Sequence, residues 1–294
     1  MLKKYLWLTL YTLFVLCSLP IWAEKTTEPA FTVQVLGQGK PIILIPGLMS
    51  DQRVWQQTAQ QLKNNYQMHL INLAGFAGKE PLQHQLQLQE VNSQLADYIQ
   101  HNKLNRPVII GHSLGGFLAF QLASTHPTLT GKIISVDGLP FLAPIFTHDS
   151  NTSATQMEAQ AKMLEQYYRQ MSSTQLMESA KQAMEIQTNQ LERVDTMLEM
   201  AKTSDPATVG TVIAQLLTTD LRSEVHKIQQ PVLLLGAGGA LPSPAMRPAV
   251  QTIYQQQIAT IPNARLDFNW QSRHFVMWDK PEWLLQQITD FIKE

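Results

Sequence analysis

The residue best placed to do chemistry is a serine in the run Val108-Ile-Ile-Gly-His-Ser-Leu-Gly-Gly-Phe117. The apolar residues that open this run are typical of a strand, and the residues from Leu114 onward are typical of a helix. Ser113 therefore occupies a sharp strand-to-helix turn, the G-x-S-x-G arrangement that projects a serine hydroxyl beyond the sheet edge. At this helix N-terminus, the helix dipole and the free N–H of Leu114 favour a developing oxyanion. The pattern predicts a nucleophilic serine, with an ordinary Gly/Ser turn as the alternative.

The glycines around Ser113 have a steric reason. The turn brings the backbone and the neighbouring strands so close that a Cβ at Gly111 or Gly115 is expected to collide, and Gly116 lets the helix approach further. We therefore expect the backbone geometry of the turn to require glycine at these positions.

A serine hydroxyl is a poor nucleophile at neutral pH, so it needs a base and a third group that orients the base. His112 lies beside the serine rather than facing it, and His69 lies mid-strand. Five others fit helices or loops at the surface: His84, His101, His126, His148 and His226. His274 directly follows the last predicted strand, so we predict that it is the base.

The Gly-His-Ser-Leu-Gly-Gly run resembles the nucleophile elbow of α/β-hydrolases of the lipase, esterase and peptidase-like kind. His274, which precedes a Pro-Glu helix start, resembles the catalytic histidine of that family. The resemblance implies an oxyanion hole formed by the backbone N–H groups of Leu48 and Leu114, with Met49 as a possible helper of Leu48. Pro46 stands where the family often has histidine, which a backbone donor tolerates. A plain Pro-Gly turn at this loop is the alternative.

The acid that orients His274 is the least regular part of the resemblance. The loop 237–244 contains no Asp or Glu, although the family usually carries its acid there. Asp137 directly follows the strand after that of the nucleophile, and some lipases and dehalogenases take their acid from this strand. We predict Asp137 as the acid. There are three alternatives. Asp137 is only a turn aspartate before Gly138, the acid is Asp220 in a stretch that precedes a strand, or a Ser-His dyad acts without an acid.

Alternating strand and helix patterns predict an α/β fold with a mostly parallel sheet flanked by helices, in the α/β-hydrolase arrangement. Residues 24–140 and 220–294 form the predicted core. Residues 141–219 have no strand pattern and form a predicted helical cap, which holds seven of the twelve methionines. Apolar residues at helical spacing mark two faces of this segment: Met163, Tyr167, Met171, Leu191, Val194 and Leu198. The run Asp279-Lys-Pro-Glu282 predicts a capping box for the final helix.

Composition limits the function classes. The 294 residues, 44% of them hydrophobic, suit one large domain with an insertion. Lys and Arg total 22 against 23 Asp and Glu, so no basic field for nucleic acid is expected. Cys17 is the only cysteine, which leaves a disulfide or a thiol nucleophile unsupported. No His-x-x-x-His pair or phosphate-loop ending occurs, so neither a metal nor a cofactor is predicted.

Residues 1–23 resemble a signal peptide. Lys3 and Lys4 precede the apolar stretch 5–19, and a small residue, Ala23, ends a plausible cleavage neck. Cleavage after Ala23 predicts export to the periplasm or the medium, with no stable membrane insertion of the mature chain. A retained membrane anchor is the alternative.

Taken together, these features predict a serine hydrolase of ester-like bonds that acts through an acyl-enzyme on a small or medium-chain apolar acyl substrate. A peptidase or amidase, an acyltransferase, and a non-catalytic binding protein on the same fold are the alternatives. The sequence leaves the oligomeric state open.

Overall fold

A computed structural model of the chain describes residues 28–294, so the predicted signal peptide and Cys17 lie outside the described residues. These residues contain a seven-stranded sheet. Its strands are β1 (Phe31–Leu36), β2 (Lys40–Ile45), β3 (Tyr66–Leu73), β4 (Val108–His112), β5 (Ile133–Val136), β6 (Val232–Ala237) and β7 (Ala264–Asn269). The order across the sheet is β1-β3-β2-β4-β5-β6-β7, and only the β1–β3 pair is antiparallel. The predicted α/β fold is therefore confirmed.

The central strands are buried on both faces because their successive apolar residues point to opposite sides. Ile43 on β2 and Ile109 on β4 pack into one core, whereas Ile42 and Ile110 pack into the other. This double burial explains why these strands read as continuous apolar runs. The parallel pairing of β2, β4, β5 and β6 places their carboxyl ends along one edge of the sheet.

Helices connect the strands and cover both faces of the sheet. Their bounds are α1 (Gln56–Leu62), α2 (Leu88–His101), α3 (Leu114–Thr125), α4 (Ala143–Thr147), α5 (Ala154–Arg169), α6 (Ser173–Gln182), α7 (Met184–Gln187), α8 (Val194–Lys202), α9 (Pro206–Thr218), α10 (Arg247–Ile258), α11 (Val276–Asp279) and α12 (Pro281–Lys293). Short 3-10 turns lie at Gln52–Trp55, Leu191–Arg193, Val225–Lys227 and Pro244–Met246. No helix within residues 28–294 combines the length and the apolar character that crossing a bilayer requires.

The helices α4–α9 all lie in the stretch between β5 and β6, where the sequence has no strand pattern. The apolar stripe of α5 does not face a core, since Met163 and Tyr167 are 62% and 59% exposed. The buried face of α5 is instead formed by Met157 and Ala161, which pack with Leu217 of α9. In this segment helix packs on helix, so spacing alone did not identify the buried face.

Two local predictions are wrong. Asp279 does not cap the final helix: Lys280 is the N-cap residue, and it provides no side-chain cap. The carboxylate of Asp279 is buried and accepts other hydrogen bonds. Asp220 does not directly precede a strand, since β6 begins only at Val232. It turns the chain by accepting from the N–H of Arg222 and pairs with the Arg222 guanidinium.

Candidate active site

Ser113 lies between β4 and α3 in a conformation that L-residues rarely adopt, with φ +52° and ψ −115°. The surroundings hold it there, since its N–H donates to Val136 O at 2.9 Å and its carbonyl accepts from Gly116 N at 2.9 Å. The hydroxyl makes no hydrogen bond to any of the residues 28–294 and is partly exposed. Strained backbone at a partly exposed serine is typical of a functional residue.

The packing of the glycines confirms the steric argument made from the sequence. A Cβ at Gly111 would lie 2.0 Å from Gly115 O, and a Cβ at Gly115 would lie 2.2 Å from Ile45 O. At Gly116 it would lie 2.2 Å from the hydroxyl oxygen of Ser135. Only glycine therefore lets the elbow sit between β2 and β5.

Asp137 and His274 come together although 137 residues separate them in the chain. The Nδ1–H of His274 donates to Asp137 Oδ2 at 2.6 Å, and the two side chains are 26% and 11% exposed. Because Nδ1 carries the shared proton, the Nε2 of His274 is left with a free lone pair. Asp137 follows β5 directly and has a positive φ of +50°. The other candidate acid, Asp220, is engaged with Arg222 instead.

Two further groups hold the carboxylate of Asp137, and no sequence pattern predicted either. The hydroxyl of Tyr254 on α10 donates to Asp137 Oδ1 at 2.7 Å, and the N–H of Ala237 donates to the same oxygen at 3.0 Å. Burial first, and then the charge of Asp137, raise the pKa of Tyr254 well above its usual value. Tyr254 therefore stays protonated and remains a donor at neutral pH.

Two glycines of the loop after β6, where the family usually carries its acid, have no room for a side chain. A Cβ at Gly238 would lie 2.2 Å from Cε3 of Trp270, and a Cβ at Gly239 would lie 2.7 Å from Ser272 O. Trp270 stacks on Phe268 with ring centroids 4.4 Å apart, and the Arg247 guanidinium lies 5.1 Å from the Trp270 ring centroid. Aromatic packing thus fills the space that a side chain at Gly238 would need.

His112, at the end of β4, supports the loop that carries His274. Its Nε2–H donates to the carbonyl oxygen of His274 at 3.1 Å, and the two ring centroids lie 4.5 Å apart. Complete burial, with a smaller contribution from the charge of His274, lowers the pKa of His112 well below its usual value. His112 is therefore neutral and acts as a donor to the backbone, not as a second base.

The two predicted oxyanion donors flank the elbow. Neither the N–H of Leu48 nor that of Leu114 donates to an acceptor within residues 28–294. The loop of Leu48 lies directly on the elbow, because a Cβ at Gly47 would be 3.2 Å from the Cβ of Ser113. Leu114 is the first residue of α3, and the first N–H groups of a helix have no acceptor within that helix. Met49, next to Leu48, has a positive φ of +55°.

Comparison with known proteins settles the family. Residues 40–281 match the family model described as the alpha/beta hydrolase fold. The chain belongs to the alpha/beta hydrolase family.

Within residues 28–294, no group of three or more His, Cys, Asp or Glu side chains is arranged to hold a metal ion.

Among curated relatives, the pimeloyl-[acyl-carrier protein] methyl ester esterase of Vibrio cholerae is 34% identical over 110 residues, which is 37% of this chain and 41% of the relative. The protein of the same name from Aeromonas salmonicida is 34% identical over 111 residues, 37% of this chain and 42% of the relative. The chain thus matches about two fifths of the length of these relatives.

Solved structures resemble the chain over nearly its whole described length. The enol-lactonase from Burkholderia xenovorans superimposes with a TM-score of 0.73 at 14% identity, covering 90% of this chain and 96% of that one. An esterase from Exiguobacterium antarcticum gives a TM-score of 0.73 at 15% identity, with the same shares. At this identity the likeness concerns the fold of this alpha/beta hydrolase alone.

Proposed function

We propose that the chain is a serine hydrolase that cleaves carboxylic esters through an acyl-enzyme. In this proposal Ser113 is the nucleophile, His274 the general base and Asp137 the acid that orients it. The observation that carries the proposal is the 2.6 Å hydrogen bond from His274 to Asp137, in a chain whose Ser113 has the strained backbone of a strand-to-helix turn. The curated relatives named as esterases support the reaction class.

The first chemical step follows from the tautomer of His274. His274 bonds to Asp137 through Nδ1, so in this proposal Nε2 is the atom that takes the proton of the Ser113 hydroxyl. The Ser113 Oγ adds to the carbonyl carbon of the ester while its proton passes to Nε2. Hydrogen bonds of this kind often tighten only once substrate is bound, so Ser113 need not contact His274 beforehand. The carboxylate stabilises the imidazolium that forms.

The second requirement is a place for the negative charge on the former carbonyl oxygen. We assign it to the free N–H groups of Leu48 and Leu114, which cost no reorganisation at the moment of reaction. When the tetrahedral intermediate collapses, the bond to the alcohol oxygen breaks, and His274 gives that oxygen its proton. The acyl group is then bonded to Ser113. Water, deprotonated by His274, adds to the acyl carbon, and collapse returns the proton to Ser113 and releases the acid.

We further propose that the residues 141–219 act as a helical cap that shapes the substrate site. Backbone hydrogen bonds join this segment to the loop after β3, from Gly78 N to Thr203 O and from Asp205 N to Gly75 O. A small or medium-chain acyl group suits such a covered site. The curated relatives are named for a methyl ester, so methyl esters of medium-chain acids are the substrates that we place first.

Labelling with a fluorophosphonate probe tests the nucleophile. We expect wild type to label, Ser113→Ala not to label, and Ser93→Ala to label like wild type, because Ser93 is an exposed serine on α2. A well-folded wild type that does not label would contradict the proposal and favour the non-catalytic binding protein.

A panel of methyl and p-nitrophenyl esters tests the substrate class. We expect kcat/KM to rise from acetate to medium acyl chains. A flat or reversed profile would contradict the medium-chain preference. Labelling without ester turnover would instead favour an amidase, or an acyltransferase that turns over only with an acceptor other than water.

We also propose export of the mature chain after cleavage behind Ala23, on the sequence pattern of the first 23 residues. Mass spectrometry of the protein purified from its native host should find Glu24 at the N-terminus. An intact Met1 in the membrane fraction would contradict cleavage.

A further inference from the structure

The backbone of the proposed base is held by a segment that does not belong to the sheet. At the end of α7, the carbonyl of Ile186 accepts from the N–H of His274 at 3.3 Å, and the carbonyl of Gln187 accepts from the N–H of Phe275 at 2.8 Å. The helical insertion between β5 and β6 therefore touches the base loop directly, through its own backbone.

One buried carboxylate joins the same two segments a second time. Asp279 is 6% exposed, and its Oδ1 accepts from the Thr188 hydroxyl at 2.6 Å and from Asn189 N at 3.0 Å. Its Oδ2 accepts from the backbone N–H of Arg273 at 2.7 Å. The Arg273 guanidinium closes the arrangement by donating to Thr188 O at 2.9 Å. Asp279 thus binds the insertion with one oxygen and the residue before the base with the other.

The placement of Asp279 is not explained by its own helix. It ends α11 and precedes α12, yet its side chain caps neither, since all its side-chain hydrogen bonds go to the base loop and to the insertion. A buried carboxylate costs desolvation unless each oxygen is satisfied, and here three donors satisfy it. Removing one donor therefore leaves the buried carboxylate with less compensation for its lost hydration.

We propose that Asp279 is a positioning residue for His274, and that it couples the insertion to the base. The bond to Asp137 orients the imidazole ring, whereas Asp279 and the segment 186–189 fix the backbone from which the ring projects. His274 is then correctly placed only while the segment 186–189 is docked, so any movement of the insertion that admits substrate also loosens the base. This inference rests on the proposed function, in which His274 is the base.

The test uses Thr188, which donates to Asp279 but lies outside the reacting groups. Thr188→Val keeps the volume and removes the hydroxyl, and Thr188→Ser keeps the hydroxyl. We expect Thr188→Val to lower kcat per titrated active site about 5- to 20-fold with little change in KM, and Thr188→Ser to stay within about twofold of wild type. Thr218→Val is the matched control, because that hydroxyl donates only to Ala214 O within α9.

Two readouts separate positioning from a general loss of structure. Titration with the fluorophosphonate probe counts competent sites, so a variant that merely unfolds in part keeps its rate per site. Proton NMR of the His274 Nδ1–H resonance, assigned with His274→Gln, reports the bond to Asp137 without any turnover. We expect this resonance to shift or broaden in Thr188→Val and in Asp279→Asn, and to be unchanged in Thr188→Ser and Thr218→Val.

The outcomes are decisive in either direction. If wild type neither labels nor hydrolyses esters while the resonance still responds to Thr188→Val, the proposed function fails and the coupling stands. If both the rate per site and the resonance are unchanged in Thr188→Val, the coupling is overturned. The comparison of Thr188→Val with Thr188→Ser tests the coupling even if Asp279→Asn does not fold.

Discussion

The strands β5 and β6 are parallel neighbours, with Val136 opposite Leu235, yet their ends contribute in different ways. The end of β5 supplies a side chain, the carboxylate of Asp137, which reaches His274. The end of β6 supplies only backbone, the N–H of Ala237, which donates to that carboxylate. One strand end therefore carries the candidate chemistry and the next one supports it.

The difference has a packing cause. Trp270 lies against Gly238 and leaves no space for a side chain at that position of the β6 loop, whereas the side chain of Asp137 at the end of β5 reaches the imidazole of His274. The loops after β5 and β6 both lie at the carboxyl edge of the sheet, where a carboxylate can approach the base. The position of an acid on this fold thus depends on which neighbouring loop has room, and chain order alone does not fix it.

The largest effect should come from removing the charge at the β5 end. We expect Asp137→Asn to lower kcat by roughly 10²- to 10⁴-fold with KM nearly unchanged, because His274 loses the acceptor that fixes its tautomer. Steady-state kinetics on the best ester measures this. Asp220→Asn, which breaks the pair with Arg222 instead, is the matched control. An Asp137→Asn variant that keeps more than half of the wild-type kcat would eliminate Asp137 and leave a Ser-His dyad.

Moving the acid to the β6 loop should fail. We expect Gly238→Asp in the Asp137→Asn background to recover no activity, because the new side chain must displace Trp270. Overpacking of this kind lowers the free energy of unfolding by about 1–3 kcal/mol. Urea denaturation and ester kinetics measure the two effects. A variant with restored kcat and unchanged stability would mean that the two strand ends are equivalent after all.

Removing a group that holds Asp137 should lower kcat less than removing the charge of Asp137 itself. We expect Tyr254→Phe to lower kcat about three- to tenfold, because Oδ1 of Asp137 keeps only the N–H of Ala237. Tyr98→Phe is the matched control, since the Tyr98 hydroxyl bonds to His69 and its pKa is also raised by burial. Equal kinetics of Tyr254→Phe and wild type would remove Tyr254 from the support of the acid.

The sequence predicted the parts of the molecule that have a local signature. The glycines around Ser113 and the alternating strands follow from sterics and from hydrophobic pattern, and the fold was predicted correctly from them. The approach of Asp137 to His274 could be anticipated because both follow strands at one edge of the sheet. The catalytic roles of these residues stay predictions.

Support groups had no such signature. Tyr254 meets Asp137 only because of how α10 packs, 117 residues further along the chain. Asp279 looked like a helix cap by spacing, but buried donors on the base loop and the insertion compete for its carboxylate. The spacing of Met163 and Tyr167 indicated a helix but not its buried face, because α5 packs on α9 through Met157 and Ala161. Contacts between distant segments decide each of these cases.

The smallest effect is expected at His112, which ends β4. In the proposal it supports the backbone of His274 and takes no part in the reaction. Its pKa is lowered in the folded chain, so the unfolded chain binds a proton at a higher pH than the folded one. The free energy of unfolding should therefore be unaffected by this group well above pH 6.5 and fall as the pH drops below about 6.5, by at most about 1.4 kcal/mol per pH unit.

His112→Gln removes this titration while leaving an amide N–H that can donate to the carbonyl of His274. We expect urea denaturation between pH 7.5 and pH 5.5 to give a shallower loss of stability for the variant than for wild type. His226→Gln, the same substitution at an exposed histidine, is the matched control. His69, whose pKa burial also lowers, contributes to the slope in both proteins and cancels in the comparison. Identical slopes for wild type and His112→Gln would mean that His112 is not held neutral, and that its role beside His274 differs from the passive support given by Ala237.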